Sequence, residues 1–360
     1  MSRPISALDN VILNEKAFFD SFMPERIIGR ENELSTFTTL LEVNDKKYAE
    51  RITVYGPPGV GKSLLLRRAR MLASNREEIL YVPVKEPYTH YLTLYALARA
   101  TKAILSPRGY SGSYILNIFL KRTQDKVKTV ILDLTNPTVY TKVSEDVYSV
   151  LDLLNNANFN VVFATHEKKD ANIEISKCTN EEAFLILRDR AEVALTPSSW
   201  DEGVLWKIVS QTDGNLRKAM LLLFFAAQMT TTKIDGRVLL KARRRLEDER
   251  FINLFSSLSE NERLILLSIY AALKKYGKEK LISGVAYEFY ANFSKRLGRK
   301  TTTPRNFIRV VNELSNLGFL KTQKLFRGVH GNTTLYYGID APKRLLDSLL
   351  QRAVRGELFP

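Results

Sequence analysis

The chain has 360 residues, 45% of them apolar and 26% charged, with no low-complexity tract; this excludes a largely disordered protein and predicts two or three folded domains. A single cysteine (Cys178) excludes an internal disulfide or thiolate-rich zinc site, three scattered histidines (His90, His166, His330) argue against any zinc centre, and no apolar run approaches a membrane span. Net charge is +15, and residues 251–360 hold 18 Lys and Arg against 8 Asp and Glu, ten of the fifteen net charges, so a polyanionic partner is expected at the C-terminal end.

In chain order, the start MSRPISALDN lacks the apolar core of a secretory leader, and together with the lone cysteine it fits a cytoplasmic setting. Short apolar runs at Ile52–Tyr55, Ile79–Val84, Thr129–Asp133, Val161–Thr165 and Ile173–Ile175 read as buried parallel strands. Helix-periodic stretches such as Ser63–Ala73, Tyr91–Ile104 and Ser144–Leu154 lie between them, which predicts a doubly wound α/β domain over 1–178. Helices alone follow, at Asn180–Ala194, Ser199–Gln211, Asn215–Met229 and Gly236–Arg250, giving a small helical domain over 179–250. The third domain, 251–360, has helices near Glu260–Tyr276, Ile282–Leu297 and Pro304–Leu317, then β-like runs at Phe319–Lys324 and Thr334–Ile339. Three helices and a hairpin in that order predict a winged helix.

The segment Gly56-Pro57-Pro58-Gly59-Val60-Gly61-Lys62-Ser63, followed by Leu64, matches G-x-x-x-x-G-K-[ST] between a strand and an amphipathic helix. Its glycines let backbone N–H groups wrap phosphate oxygens, Lys62 is placed for the β and γ phosphates, and Ser63 for Mg²⁺. The expected cofactor is therefore ATP or ADP with Mg²⁺. Asp133, ending a later strand, supplies a second metal-side carboxylate; the alternative is an ordinary turn aspartate. Thr165 and His166 end the neighbouring strand at the edge where ligands of such sheets bind, though His166 also reads as a surface turn residue.

Thr303 and Pro304 make a good helix start, and the helix they open carries Arg305, Asn306 and Arg309 on one side. Arginine and asparagine suit guanine and adenine edges in the major groove, so this is the expected recognition helix, with Thr303, Arg305, Asn306 and Arg309 as its expected DNA-binding residues. Lys324, Arg327 and His330 mark the wing, placed for phosphates or a minor groove. A winged helix used for protein contacts is the alternative.

Several segments together resemble the AAA+ class and, within it, the archaeal replication initiators related to the origin recognition complex. Pro24-Glu-Arg-Ile27-Ile28-Gly-Arg-Glu31 resembles the adenine-side box, and Asp213-Gly-Asn-Leu-Arg217 the sensor 2 motif whose arginine reaches the γ-phosphate. Pro107-Arg108-Gly-Tyr110-Ser111, Phe184-Leu-Ile-Leu-Arg188-Asp-Arg190-Ala-Glu and the C-terminal segment extend the resemblance from about Pro24 to Ile339. It implies a nucleoid-associated protein that binds double-stranded DNA, with Arg108 and Tyr110 as a second contact, and that meets a replicative helicase or paralogous initiators. It also implies Asp133, Thr165, His166 and Arg217 as the groups around the phosphates. Two departures stand out. Leu134 holds the place of the glutamate that activates water in active members, and Glu167–Cys178 carries no clear arginine finger. Slow or absent hydrolysis is therefore expected. Alternatives are an active helicase loader or transposition-type ATPase, and a signalling ATPase whose winged helix binds protein.

Overall fold

A computed structural model describes residues 10–42, 50–84, 88–106, 109–124, 126–135, 143, 145–168, 172–277, 280–326 and 332–357. They fall into two compact units, 1–244 and 245–360.

In the first unit, strands β1 (Arg51–Tyr55), β2 (Ile79–Pro83), β3 (Thr129–Asp133), β4 (Asn160–Thr165) and β5 (Ile173–Glu174) form a parallel sheet in the order β2-β3-β4-β1-β5. The apolar runs of the inner strands β3 and β4 are buried on both faces because helices cover both. Helices α1 (Glu31–Glu42) and α2 (Lys62–Leu72) pack on one side around Phe37, Leu65, Leu66 and Val162. Helices α3 (His90–Ala100), α4 (Gly112–Thr123) and α5 (Glu145–Asn156) pack on the other around Leu97, Phe119, Leu151 and Phe163. This is the doubly wound α/β arrangement expected. With β4 inserted between β1 and β3, the carboxyl ends of those three parallel strands lie side by side at one edge of the sheet.

Helix α3 stops earlier than its apolar pattern predicts, because Lys102 turns left-handed at φ 61° and the Ala103 amide closes back on the Ala98 carbonyl at 3.3 Å. Ser111 then caps α4, accepting from the Tyr114 amide at 3.2 Å. A helix thus follows directly on the segment that the sequence marked only for Arg108 and Tyr110.

Helices α6 (Asn180–Ala194), α7 (Glu202–Ser210) and α8 (Leu216–Gln228) complete this unit, with α9 (Gly236–Ser257) running beyond its end. Thr179 and Glu182 form a capping box at α6, which fixes where the all-helical part begins. The N-terminal segment joins it: Ile12 bridges to Leu195, and Phe18 and Phe19 lie against Phe224 of α8 at 5.3 and 5.1 Å.

The second unit is a winged helix. Helices α10 (Glu260–Tyr276), α11 (Ser283–Arg296) and α12 (Pro304–Asn316) enclose a core with Ile265, Tyr290, Phe307, Val311 and Leu314. Strands β7 (Leu320–Phe326) and β8 (Asn332–Ile339) pair antiparallel as the wing. Two elements were not anticipated: β6 (Lys280–Ile282), which pairs with β8, and α13 (Lys343–Val354), whose Leu346 and Ala353 close the core. Helix α9 also continues past the expected end at Arg250, since no breaker occurs before the Ser259 cap of α10 and Phe251 and Phe255 are core residues. No helix among the described residues is long and apolar enough to cross a membrane.

Candidate nucleotide site and nucleic-acid interface

The loop between β1 and α2 holds the conformation its glycines permit. Gly59 and Gly61 have φ of 81° and 93°, in the left-handed region. At Gly59 a side chain is barred twice over, since an added Cβ would lie 2.3 Å from Asn215 Oδ1. Asn215 is the N-cap of α8, so the loop and the start of that helix touch only because residue 59 lacks a side chain.

Lys62 opens α2 and is buried. Its ammonium donates to the carbonyls of Gly56 (2.6 Å) and Pro57 (2.9 Å) and to His166 Nδ1 (3.0 Å). Burial pushes its pKa down to about 7, Asp133 acts to raise it, and Arg217 adds to the lowering. The His166 pKa is lowered too, first by burial and then by the Lys62 charge. His166 Nδ1 also lies 3.2 Å from the Gly56 carbonyl and cannot donate to it while accepting from Lys62. With the proton on Nε2, the ring donates to the Thr135 carbonyl (3.3 Å), accepts from Lys62 at Nδ1, and leaves the Gly56 carbonyl to the Lys62 ammonium.

Asp133 is buried at the end of β3. Its Oδ1 accepts from the Thr135 amide (2.9 Å) and hydroxyl (2.5 Å), and its Oδ2 from the Tyr81 hydroxyl. Burial, then the Asp133 charge, raises the Tyr81 pKa, so Tyr81 stays a donor. With its own proton committed to Asp133, Thr135 accepts from Ser63 Oγ at 2.6 Å. Ser63, Thr135 and Asp133 therefore form a chain of oxygens beside Lys62. A hydroxyl and a carboxylate suit Mg²⁺, which takes one or two protein oxygens and fills its other positions with phosphate oxygens and water. Among the described residues there is no cluster of three or more His, Cys, Asp or Glu that would hold a metal unaided.

One cleft is lined by Lys62, Ser63, Thr135, His166, Arg190 and Arg217, among others. An adjoining one is lined by Pro24, Arg26, Ile27, Ile28, Arg190 and Leu216, among others. The expected base side and phosphate side thus lie next to each other, with Val60 and Leu64 between loop and helix. Thr165 is different: it is buried, and its hydroxyl accepts from the Glu167 amide (3.1 Å), so His166 is the member of that pair that lines the cleft. Arg217 lies in the first turn of α8 and donates to Asp20 Oδ2 at 2.5 Å. Leu134 is 1% exposed and packs in the core, so its side chain does not line the cleft. Asp20 and Arg190 carry no motif role in the sequence; the Phe184–Glu192 segment contributes to the family resemblance, but nothing in it signals a buried charge.

In the second unit, Thr303 caps α12, accepting from the Asn306 amide at 3.3 Å. Phe307, Val310, Val311 and Leu314 are buried, while Arg305, Ile308 and Arg309 are exposed. Arg309 donates to Asn306 Oδ1 (3.0 Å) and Glu313 Oε1 (2.5 Å), and Asn306 donates to the Thr302 hydroxyl at 2.5 Å. Lys324 lies on β7 opposite Thr334. Arg108, Arg327 and His330 lie outside the described residues. Tyr110 is half-exposed and stacked on Tyr114, ring centroids 5.2 Å apart.

Residues 253–346 match the model of the CDC6 C-terminal winged helix domain, and residues 26–112 that of the AAA ATPase domain. The ORC1-type DNA replication protein 1 of Sulfurisphaera tokodaii is 22% identical, over 90% of this chain and 89% of its own. The chain belongs to the archaeal AAA+ replication-initiator family. Within that family, the Aeropyrum pernix ORC1 protein, solved in complex with DNA, superposes with TM-score 0.81 at 22% identity, covering 97% of this chain and 98% of that one. The Aeropyrum pernix ORC2 protein, solved in ADPNP–ADP complexes, gives TM-score 0.55 at 17% identity, covering 97% and 100%. This initiator-family chain shares their AAA+ and winged-helix fold.

Proposed function

We propose that this initiator-family protein binds ATP or ADP with Mg²⁺ at the Gly56–Ser63 loop and recognises double-stranded DNA through its winged helix and AAA+ domain, hydrolysing ATP slowly or not at all. The observation that carries the reading is the pairing of a complete phosphate cradle with a buried apolar residue, Leu134, where a water-activating carboxylate is expected. Binding needs the cradle; fast hydrolysis needs the base, whose absence typically costs ~10²–10⁴ in rate.

In this reading Ile27 and Ile28 flank the base, Lys62 and Arg217 meet the β and γ phosphates, and Ser63 and Asp133 hold Mg²⁺. Residues 1–178 form the nucleotide domain, 179–250 the lid and 251–360 the DNA-binding domain. Arg305, Asn306 and Arg309 face the major groove, and Lys324, Arg327 and His330 the wing contacts. Arg108 and Tyr110 form a second DNA contact in the AAA+ domain. The relatives support the assignment, because the Aeropyrum pernix ORC1 protein was solved with DNA and its ORC2 protein with ADPNP and ADP. Paralogous initiators and a replicative helicase are the expected protein partners.

The test pairs turnover with binding. Purified protein should retain or bind ADP and ATP with Mg²⁺ while releasing phosphate more slowly than a few times per minute, and Lys62→Ala should abolish the binding. Faster turnover that depends on Lys62 would favour the active-ATPase alternative.

A further inference from the structure

Arg190, on α6, is 7% exposed. Its guanidinium carbon stands 4.5 Å over the ring centroid of Phe22, and its Nη1 is buried with no hydrogen-bond partner. Burial lowers its pKa, opposed only by the charge of its chain neighbour Asp189. A guanidinium in this position is costly, and an apolar side chain of similar size would fill the space without the penalty. Such a group makes sense when an anion completes it.

The surroundings name the anion. Arg190 lines both clefts, the one with Lys62, Ser63 and Arg217 and the one with Ile27 and Ile28. We infer that Arg190 is a nucleotide-binding residue whose Nη1 donates to the α-phosphate of ADP or ATP, its plane held in place by Phe22. This rests on the nucleotide reading above. The β and γ phosphates fall to Lys62 and Arg217; the α-phosphate, joined to the nucleoside, belongs at the junction of the two clefts, where Arg190 is. A ribose hydroxyl there would satisfy the hydrogen bond but leave the charge unopposed.

Calorimetric titration of ADP and ATP, each with Mg²⁺, into full-length wild type, Arg190→Ala and Arg190→Gln tests this, alongside melting of each protein without nucleotide. Wild type is expected to bind both. Both variants are expected to lose affinity by about 10- to 100-fold, equally for ADP and ATP since both carry the α-phosphate. Nucleotide-free melting should stay level or rise, because a buried unpaired charge is gone. If the neutral variants do not fold, Arg190→Lys replaces them: it keeps the charge without the planar fork and should lose roughly 3- to 10-fold for both nucleotides. Unchanged affinity in the folded variants, or a loss confined to ATP, overturns the assignment of Arg190 alone. A wild type that binds neither nucleotide overturns the nucleotide reading as well.

Discussion

The residue whose chemistry is most sharply constrained is Lys62. Free of ligand, burial holds its pKa down to about 7, while a phosphate beside it favours the ammonium form. The proton balance then has opposite signs for binding and for folding. Above pH 7 the free protein must take up a proton to bind nucleotide, so affinity should fall with rising pH, by at most about tenfold per unit. The unfolded chain, with an ordinary lysine, binds more protons than the native one over the same window, so the Lys62 contribution to nucleotide-free stability should rise with pH. Titrations at pH 7, 8 and 9 in two buffers of different ionisation enthalpy would reveal the proton uptake; an affinity flat across that range contradicts it.

Asp20 is the second residue with a definite expectation. Its carboxylate meets Arg217 at 2.5 Å and its carbonyl accepts from Arg67, and the Phe18 and Phe19 contacts with Phe224 fix its position on the helix that carries Arg217. A γ-phosphate must displace this carboxylate or share the arginine with it, whereas ADP need not. Asp20→Asn should therefore raise ATP affinity relative to ADP by roughly two- to fivefold, the scale of one exposed ion pair. Equal effects on the two nucleotides would remove Asp20 from the phosphate site.

At the scale of elements, α12 presents Arg305, Ile308 and Arg309 outward while four apolar residues anchor it. For the proposed role in reading DNA its weak point is Glu313, one turn after Arg309 and bonded to it. That pair holds the guanidinium along the helix and adds a negative charge to the face proposed to meet DNA. Glu313→Gln should tighten duplex binding by about two- to fivefold, and Arg309→Ala should weaken it by ~1–3 kcal/mol if the arginine reads a base edge. Electrophoretic mobility shifts on one duplex would compare them; a Glu313→Gln protein that binds more weakly would mean that the acid orients Arg309 productively.

The elements also show where sequence reasoning works. The inner strands β3 and β4 of the first unit were legible because a strand buried on both faces must be an uninterrupted apolar run, as Val-Ile-Leu before Asp133 is. The phosphate loop was legible because its glycines answer a backbone demand. Strand β6 was not, since three residues carry no period and its pairing to β8 spans some fifty residues of chain. Helix α13 carries a signal in the spacing of Leu346, Leu349, Leu350 and Ala353, but it lies beyond the three helices and hairpin that define a winged helix. Within the site, Lys62, Ser63 and Asp133 announced themselves by spacing. The inward packing of Leu134, the Asp20–Arg217 pair and the buried Arg190 depend on segments distant in sequence meeting in space, which no local pattern encodes.

For the whole molecule, the uneven charge sets the expectation for DNA. Arg305, Arg309, Lys324 and Arg327 supply four cations to the proposed recognition helix and wing. If each neutralises one phosphate, counterion release gives a slope of log affinity against log salt of about −3 to −4, and each alanine substitution at a phosphate-contacting residue should lower its magnitude by about 1. A residue that reads bases instead should change the preference among sequences. Fluorescence anisotropy with a labelled duplex between about 50 and 200 mM salt separates the two roles residue by residue. A slope near zero would mean that the positive charge of residues 251–360 is only solvated, and the winged helix would then be a protein-binding module; a steep slope unaltered by all four substitutions would move the DNA contact off this helix and wing, leaving the surface around Tyr110 as the place to look.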